Sequence, residues 1–138
     1  MASIIFNSAI DDEARGNIDF ESDTFKCVLV TSSYIPNKKT HTKRSDVTNE
    51  VTGTGYTSGG VAVTVTVTKD TANDRVDISL GEISLPSSTI TAAAAVYCKS
   101  RGGISSADEL VAYIDFGRNY TSVNGTFSLS ASTLRISN

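Results

Sequence analysis

The sequence predicts an all-β fold, either an antiparallel β-sandwich or a jelly-roll-like domain, with at most one short N-terminal helix. Apolar and polar residues alternate with period two in several segments, most clearly over residues 61–68. Stretches rich in Gly, Ser, Asn and Asp separate these segments, which is typical of antiparallel sheets. Serine and threonine make up about a quarter of the chain, and β-branched residues fill the alternating segments.

Length and composition are consistent with one β-rich domain spanning residues 1–138. A chain of 138 residues with 39% apolar and 20% charged residues can bury one modest core. Its longest apolar runs fall short of the roughly 20 residues of a membrane span. The N-terminus lacks the basic start and long apolar run of a secretory signal. We therefore expect neither a membrane segment nor a cleaved leader.

Charge and residue usage argue against several function classes. A net charge of -3 and a pI near 5.0 argue against a dedicated nucleic-acid-binding protein. A single His leaves acid–base or triad catalysis few residues to use, and the sequence has no GxSxG nucleophile motif. We expect a protein that is not an enzyme and that has no cofactor.

The N-terminal third contains a short apolar segment, a short helix and a first strand. Residues 8–15 predict one or two helical turns, because acidic residues close to the start favour the positive end of the helix dipole. Gly16 and Asn17 would end the helix. Residues 18–23 form an acidic connection. Residues 24–31 predict a strand with two apolar faces, which indicates a central or sandwiched position.

The middle of the chain predicts a β-hairpin. Residues 61–68 read as one strand with an aliphatic face for the core and a threonine face for solvent or a subunit contact. Residues 75–80 alternate again after a turn-rich segment of about six residues. Residues 32–45 form a long polar loop, and residues 81–88 are expected to be irregular around Pro86.

The C-terminal third predicts three further strand regions. Four consecutive alanines in residues 89–99 favour helix by propensity, but β-branched and aromatic flanks without a cap favour a strand, which we predict. A strand over residues 109–116 is followed by a loop over residues 117–125, ending in the turn dipeptide Asn124-Gly125. Residues 126–137 form the last strand region, with a bulge or bend at residues 131–133. The total is six or seven strands.

The most concentrated charge in the sequence lies in the polar loop. Five basic or potentially basic side chains fall within seven residues: Lys38, Lys39, His41, Lys43 and Arg44. Such a cluster indicates docking onto an acidic partner surface, and the alternative is a solvated loop that keeps the chain soluble. The cluster has no interleaved aromatic residues, which disfavours nucleic acid.

Other candidate sites have simpler interpretations. Asp19, Glu21 and Asp23 alternate like ligands of a calcium ion, but the segment lacks the glycine and the closing glutamate of an EF-hand loop, so we expect no metal. Cys27 and Cys98 are expected to be buried free thiols. The glycine-rich residues 53–60 lack the GK[ST] ending of a phosphate-binding loop, so we expect a flexible or tightly turned connection.

The order of several short segments is similar to a known pattern. These segments are residues 18–34 (IDFESDTFKCVLVTSSY), 46–60 (DVTNEVTGTGYTSGG), 88–92 (STITA), 112–117 (AYIDFG) and 124–127 (NGTF). Together they resemble a family of small structural proteins encoded by tailed bacteriophages. The resemblance covers roughly residues 18–136, and no catalytic residues come with it.

The resemblance implies a virion component, made in the cytoplasm of the host bacterium. Our first hypothesis is a capsid decoration or cement protein, a homo-oligomer such as a trimer, whose partner is the major capsid protein. The alternative is a tail- or fibre-associated component that contacts tail proteins or the host surface. In that alternative, the loop residues Tyr34, Tyr56 and Tyr120 are candidate platforms for a glycan.

Overall fold

A computed structural model describes residues 3–137 and confirms the all-β class. One helix, α1 (Asn7–Ala14), and two 3₁₀ turns (Arg44–Asp46 and Ser105–Ala107) accompany eight strands in this range. The strands are β1 (Ser3–Ile5), β2 (Phe25–Val30), β3 (Val61–Val63), β4 (Val65–Asp70), β5 (Arg75–Leu80), β6 (Ile83–Lys99), β7 (Leu110–Leu129) and β8 (Ser132–Ser137).

The strands form two antiparallel sheets. The large sheet has the order β1-β7-β6-β2-β3, and the small sheet has the order β4-β5-β8. The long hairpin β6–β7 runs from the Ile83–Leu129 pair to the Cys98–Leu110 pair and contributes two adjacent inner strands of the large sheet. The polar connection of residues 100–109 closes this hairpin.

Two hydrophobic cores lie on opposite faces of the large sheet. The larger core fills the space between the sheets and contains Cys27, Leu29 and Leu80, each 0% exposed. The smaller core packs Val28 and Val30 of β2 against α1 and the polar loop. The prediction that both faces of this strand are buried is therefore confirmed.

The predicted strand over residues 61–68 is wrong as a single element. The chain leaves the large sheet after β3 and enters the small sheet at β4, with Thr64 between the two strands. The carbonyl of Thr64 accepts a hydrogen bond from the Gly81 N–H at 2.8 Å, which secures the crossing. The predicted hairpin to β5 is confirmed, with four connecting residues rather than about six.

Two segments predicted as irregular lie inside long strands. Pro86 is within β6, where a bulge separates the Leu85 and Ser88 pairs, so its missing N–H costs no regular ladder bond. Asn124 and Gly125 lie within β7, also at a register shift, and Asn124 has a φ of 48°. Pro86 and Asn124-Gly125, which predicted loops, therefore lie in β-bulges and not in turns. The alanine-rich segment is strand, as predicted.

Helix α1 begins and ends one residue earlier than predicted, at Asn7 and Ala14. It begins at Asn7, so Asp11, Asp12 and Glu13 lie beyond its first turn, and the dipole argument for its start is wrong. Gly16 follows its end with a φ of 81°, the left-handed conformation that glycine tolerates best. None of the helices within residues 3–137 is long and apolar enough to cross a membrane.

The two lateral sides of the sandwich differ. On the closed side, β3 and β4 are consecutive, so the chain itself joins the sheets. On the open side, β1 ends the large sheet and β8 ends the small one, and no described strand bridges them. Helix α1 contacts β7 next to this open side.

Candidate functional site

Ion pairs attach the polar loop of residues 32–45, from here on called the basic loop, to the start of β7. The Arg44 Nε donates to the Asp108 carboxylate at 2.8 Å, and the Asp108 side chain is only 2% exposed. Arg101 donates twice to the buried Glu109 carboxylate, at 2.9 and 2.6 Å, and Lys43 lies 3.9 Å from it. The Arg101 hydrogen bonds hold the pKa of Glu109 below its ordinary value.

His41 and Tyr34 hold the middle of the same loop. The Tyr34 hydroxyl and the Asn37 N–H lie 2.9 and 3.2 Å from His41 Nδ1, which accepts from the amide. Tyr34 is 2% exposed and its ring packs against Tyr113 of β7. Burial raises the pKa of Tyr34 to about 12. His41 therefore organises the loop, with its ring stacked on Tyr34.

The predicted docking cluster divides into two groups. His41, Lys43 and Arg44 make contacts within the chain, as described above. Lys38 and Lys39 are exposed, and no carboxylate within residues 3–137 lies within ion-pair distance of either. We call residues 35–39 the loop tip. The tip also carries Ile35, which is 76% exposed.

The acidic residues 19–23 form a compact turn. Asp19 accepts hydrogen bonds from the Glu21 N–H and the Ser22 hydroxyl, and the Ser22 bond lowers the pKa of Asp19. Asp23 pairs with Lys99 at 2.8 Å. Within residues 3–137, no group of three or more His, Cys, Asp or Glu side chains is placed to hold a metal ion.

The two cysteines are free and buried, as predicted. The register places Cys27 opposite Tyr97 and Lys26 opposite Cys98, so the two thiols lie on opposite faces of the large sheet. Burial raises the pKa of each thiol to about 12. Neither position favours a disulfide or a reactive thiolate.

Two of the three tyrosines proposed as glycan platforms are buried. Tyr34 is described above. Tyr56 is 8% exposed, and its hydroxyl donates to Glu50 at 2.6 Å. Glu50 also accepts from the Ser58 hydroxyl and the Gly59 N–H, so the glycine-rich segment is a tightly turned connection. Tyr120 is partly exposed, with the Arg118 guanidinium 4.7 Å from its ring centroid.

An apolar groove, here called the open-side groove, lies between α1 and β1 on one side and β8 on the other. It has a volume of about 390 Å³. Its lining includes Ile5, Ile10, Phe20 and Ile136, and a continuation of the groove reaches Val67. Sequence reasoning missed this site because its lining comes from both ends and the middle of the chain. The only local sign of the groove in the sequence is Ile10, an apolar residue directly before three acidic residues of α1.

A hydroxyl-rich surface, here called the hydroxyl face, covers the outside of the small sheet. Thr66 pairs with Ser79, which pairs with Thr133, so the three side chains form a row across the strands. Thr68 and Asp77 lie in the next row, and the Asp77 carboxylate forms ion pairs with Arg75 and Arg135. The threonine face predicted from the alternation of residues 61–68 is thus exposed on β4.

Comparisons of the chain with protein-family models, with curated proteins and with solved structures found no match.

Proposed function

We propose that the chain is a structural protein of a tailed-bacteriophage virion, a capsid decoration or cement protein that binds the major capsid protein shell and stabilises it. The single structural observation that carries the proposal is the hydroxyl face. The ordered resemblance over residues 18–136 supports a place in the virion.

The hydroxyl face suits docking onto a large, rigid partner. Its threonine and serine side chains lose less rotamer entropy on contact than long side chains do. They also offer both hydrogen-bond donors and acceptors along a regular row. Ion pairs of Asp77 with Arg75 and Arg135 hold the neighbouring row in place. Binding through this face therefore costs little additional side-chain entropy.

A domain of this size needs several contacts to stay on a shell. One moderate interface on a small protein gives limited affinity. Linked copies that each touch the shell raise the effective concentration of every further contact. An oligomer on neighbouring major capsid proteins would bridge them, which is how a decoration protein resists shell opening.

The tail- or fibre-associated role receives less support from the described side chains. Its glycan version needs exposed aromatic platforms, and Tyr34 and Tyr56 are buried. Copy number separates the two roles. A decoration protein approaches the copy number of the major capsid protein, whereas a tail component is much scarcer. Quantitative mass spectrometry of purified virions measures this ratio.

The test is binding of the purified chain to shells that lack it. We expect saturable binding and a higher shell melting temperature. Thr66→Arg combined with Thr133→Arg adds two long charged side chains to the hydroxyl face and should weaken binding at least tenfold. Thr126→Arg, at an exposed position of β7, is the matched control and should bind like the wild type.

Three results would contradict the proposal. The first is the absence of binding at saturating protein, and the second is binding without any gain in shell stability. The third is equal binding by the double variant and the control, which would show that the hydroxyl face is not the contact. Circular dichroism of each variant verifies that the fold is retained.

A further inference from the structure

We propose that the loop tip of one copy docks into the open-side groove of a second copy of this chain. The first observation is that exposed apolar side chains gather at this groove. Ile5, Ile10 and Ile136 are 39, 64 and 48% exposed and line one continuous surface. Apolar patches of this kind mark interaction sites.

The charges around the groove determine which partner fits. Glu13 lines the groove, and Glu21 lines its continuation. No cation within residues 3–137 lies within ion-pair distance of either carboxylate. On the small-sheet side, Arg135 is already paired with Asp77. The helix side of the groove therefore attracts a basic partner that also carries an apolar side chain.

The loop tip has this chemistry. It presents Ile35 beside Lys38 and Lys39, both without a carboxylate partner in the described chain. An apolar group flanked by free ammonium groups matches an apolar groove flanked by free carboxylates. The tip is the most exposed apolar segment of the basic loop, and the sequence offers no other cluster of comparable positive charge.

The tip is also held in shape before it binds. The Asn37 side chain accepts hydrogen bonds from the Lys39 and Thr40 N–H groups at 3.0 and 3.2 Å. The Lys38 carbonyl accepts from the Asn7 N–H at 2.9 Å, which attaches the tip to the start of α1. A preorganised tip loses little entropy on docking.

This attachment places the tip and the groove on adjoining surfaces of one copy, because both flank α1. Each copy therefore offers both halves of the contact. A closed dimer or ring uses every tip and every groove, as closed symmetric assemblies do. The inference stands apart from the virion proposal, since it concerns the purified chain alone.

The test is sedimentation velocity with light scattering over roughly 1 to 200 µM protein, a range that reports micromolar association. We expect a concentration-dependent oligomer for the wild type. Glu13→Lys should raise the dissociation constant at least tenfold, and so should Lys38→Glu with Lys39→Glu. Arg118→Glu, an exposed charge reversal on β7, is the control and should assemble normally.

Charge reversal on both partners provides the decisive arm. The triple variant Glu13→Lys, Lys38→Glu, Lys39→Glu restores opposite charges and should recover association. A wild-type chain that stays monomeric across the range contradicts the inference. An oligomer that these variants leave unchanged, or whose loss the triple variant does not reverse, also contradicts it.

Discussion

The closed and open sides of the sandwich differ in how completely they cover the apolar space between the two sheets. On the closed side, β3 continues into β4, and Leu80 behind the crossing is fully buried. On the open side, β1 and β8 stand apart, and Ile10 and Ile136 remain about half exposed or more.

The difference shows where packing ends and association begins. A chain that crosses between sheets covers its own core, and its residues serve stability. A side left open retains apolar surface that a partner can cover, at little cost to the isolated copy. Substitutions on the closed side should therefore change the free energy of unfolding, and those on the open side should change assembly.

The largest effect is expected for a core truncation behind the crossing. Leu80→Ala removes a side chain that is 0% exposed and leaves a cavity, so it should destabilise the fold by about 3 kcal/mol. Ile136→Ala, on the open side, should cost less than about 1 kcal/mol. Urea unfolding at low protein concentration measures both. Equal losses would remove the distinction between the two sides.

Alanine substitutions at one glycine on each side should also differ in their effect on the free energy of unfolding. Gly60 has a φ of 102°, and a Cβ there would lie 2.7 Å from the Cys27 carbonyl oxygen of β2. Gly16, after α1 on the open side, also has a positive φ but has open space around it. Gly60→Ala should therefore cost about 2 kcal/mol more than Gly16→Ala, because only Gly60 adds a steric clash to backbone strain. Similar unfolding midpoints would show that β3 can move away.

A smaller effect is expected at the base of the basic loop. Arg101→Gln leaves the buried Glu109 carboxylate without its two charged hydrogen bonds, so it should lower the free energy of unfolding at neutral pH. The loss should be smaller than that of Leu80→Ala or Gly60→Ala, because the Arg101 side chain is exposed to solvent. Lys39→Gln, at the tip, is the control and should leave stability unchanged.

The same pair should respond to pH. The folded pKa of Glu109 is lowered, so its stabilisation is complete above the ordinary glutamate pKa of about 4.3. It is lost as the pH falls through the lowered folded value. The difference between wild type and Arg101→Gln should therefore shrink between pH 7 and pH 3 in urea unfolding. A difference that stays constant would show that the contact is not an ion pair.

Local pattern was enough to predict much of the fold. The alternation in β5, the two apolar faces of β2 and the glycine after α1 each depend on nearby residues, and the structure confirms them. Residues 61–68 alternate without interruption, yet the chain changes sheets at Thr64. Likewise, Pro86 and Asn124-Gly125 are used in bulges of a long hairpin, because pairing over many residues outweighs a local turn preference.

The candidate sites were harder to predict than the strands, because they depend on contacts between residues far apart in the sequence. The basic residues were identifiable as a cluster, but Arg44 is paired with Asp108, 64 residues further along the chain. Sequence spacing could not separate the anchored residues from Lys38 and Lys39. The open-side groove needs Ile10 and Ile136 to meet, which only the three-dimensional structure shows. Its acidic side was visible as charge, but not as the border of a groove.

A cross-link between copies tests the pairing of tip and groove most directly. Ile10→Cys and Ile35→Cys are made in separate chains, mixed and oxidised; the native Cys27 and Cys98 are buried and should not react. If a tip docks in the groove of another copy, the mixture should form a disulfide-linked pair containing one chain of each kind. A mixture that forms no such mixed pair, at concentrations where the wild type is oligomeric, would contradict the pairing.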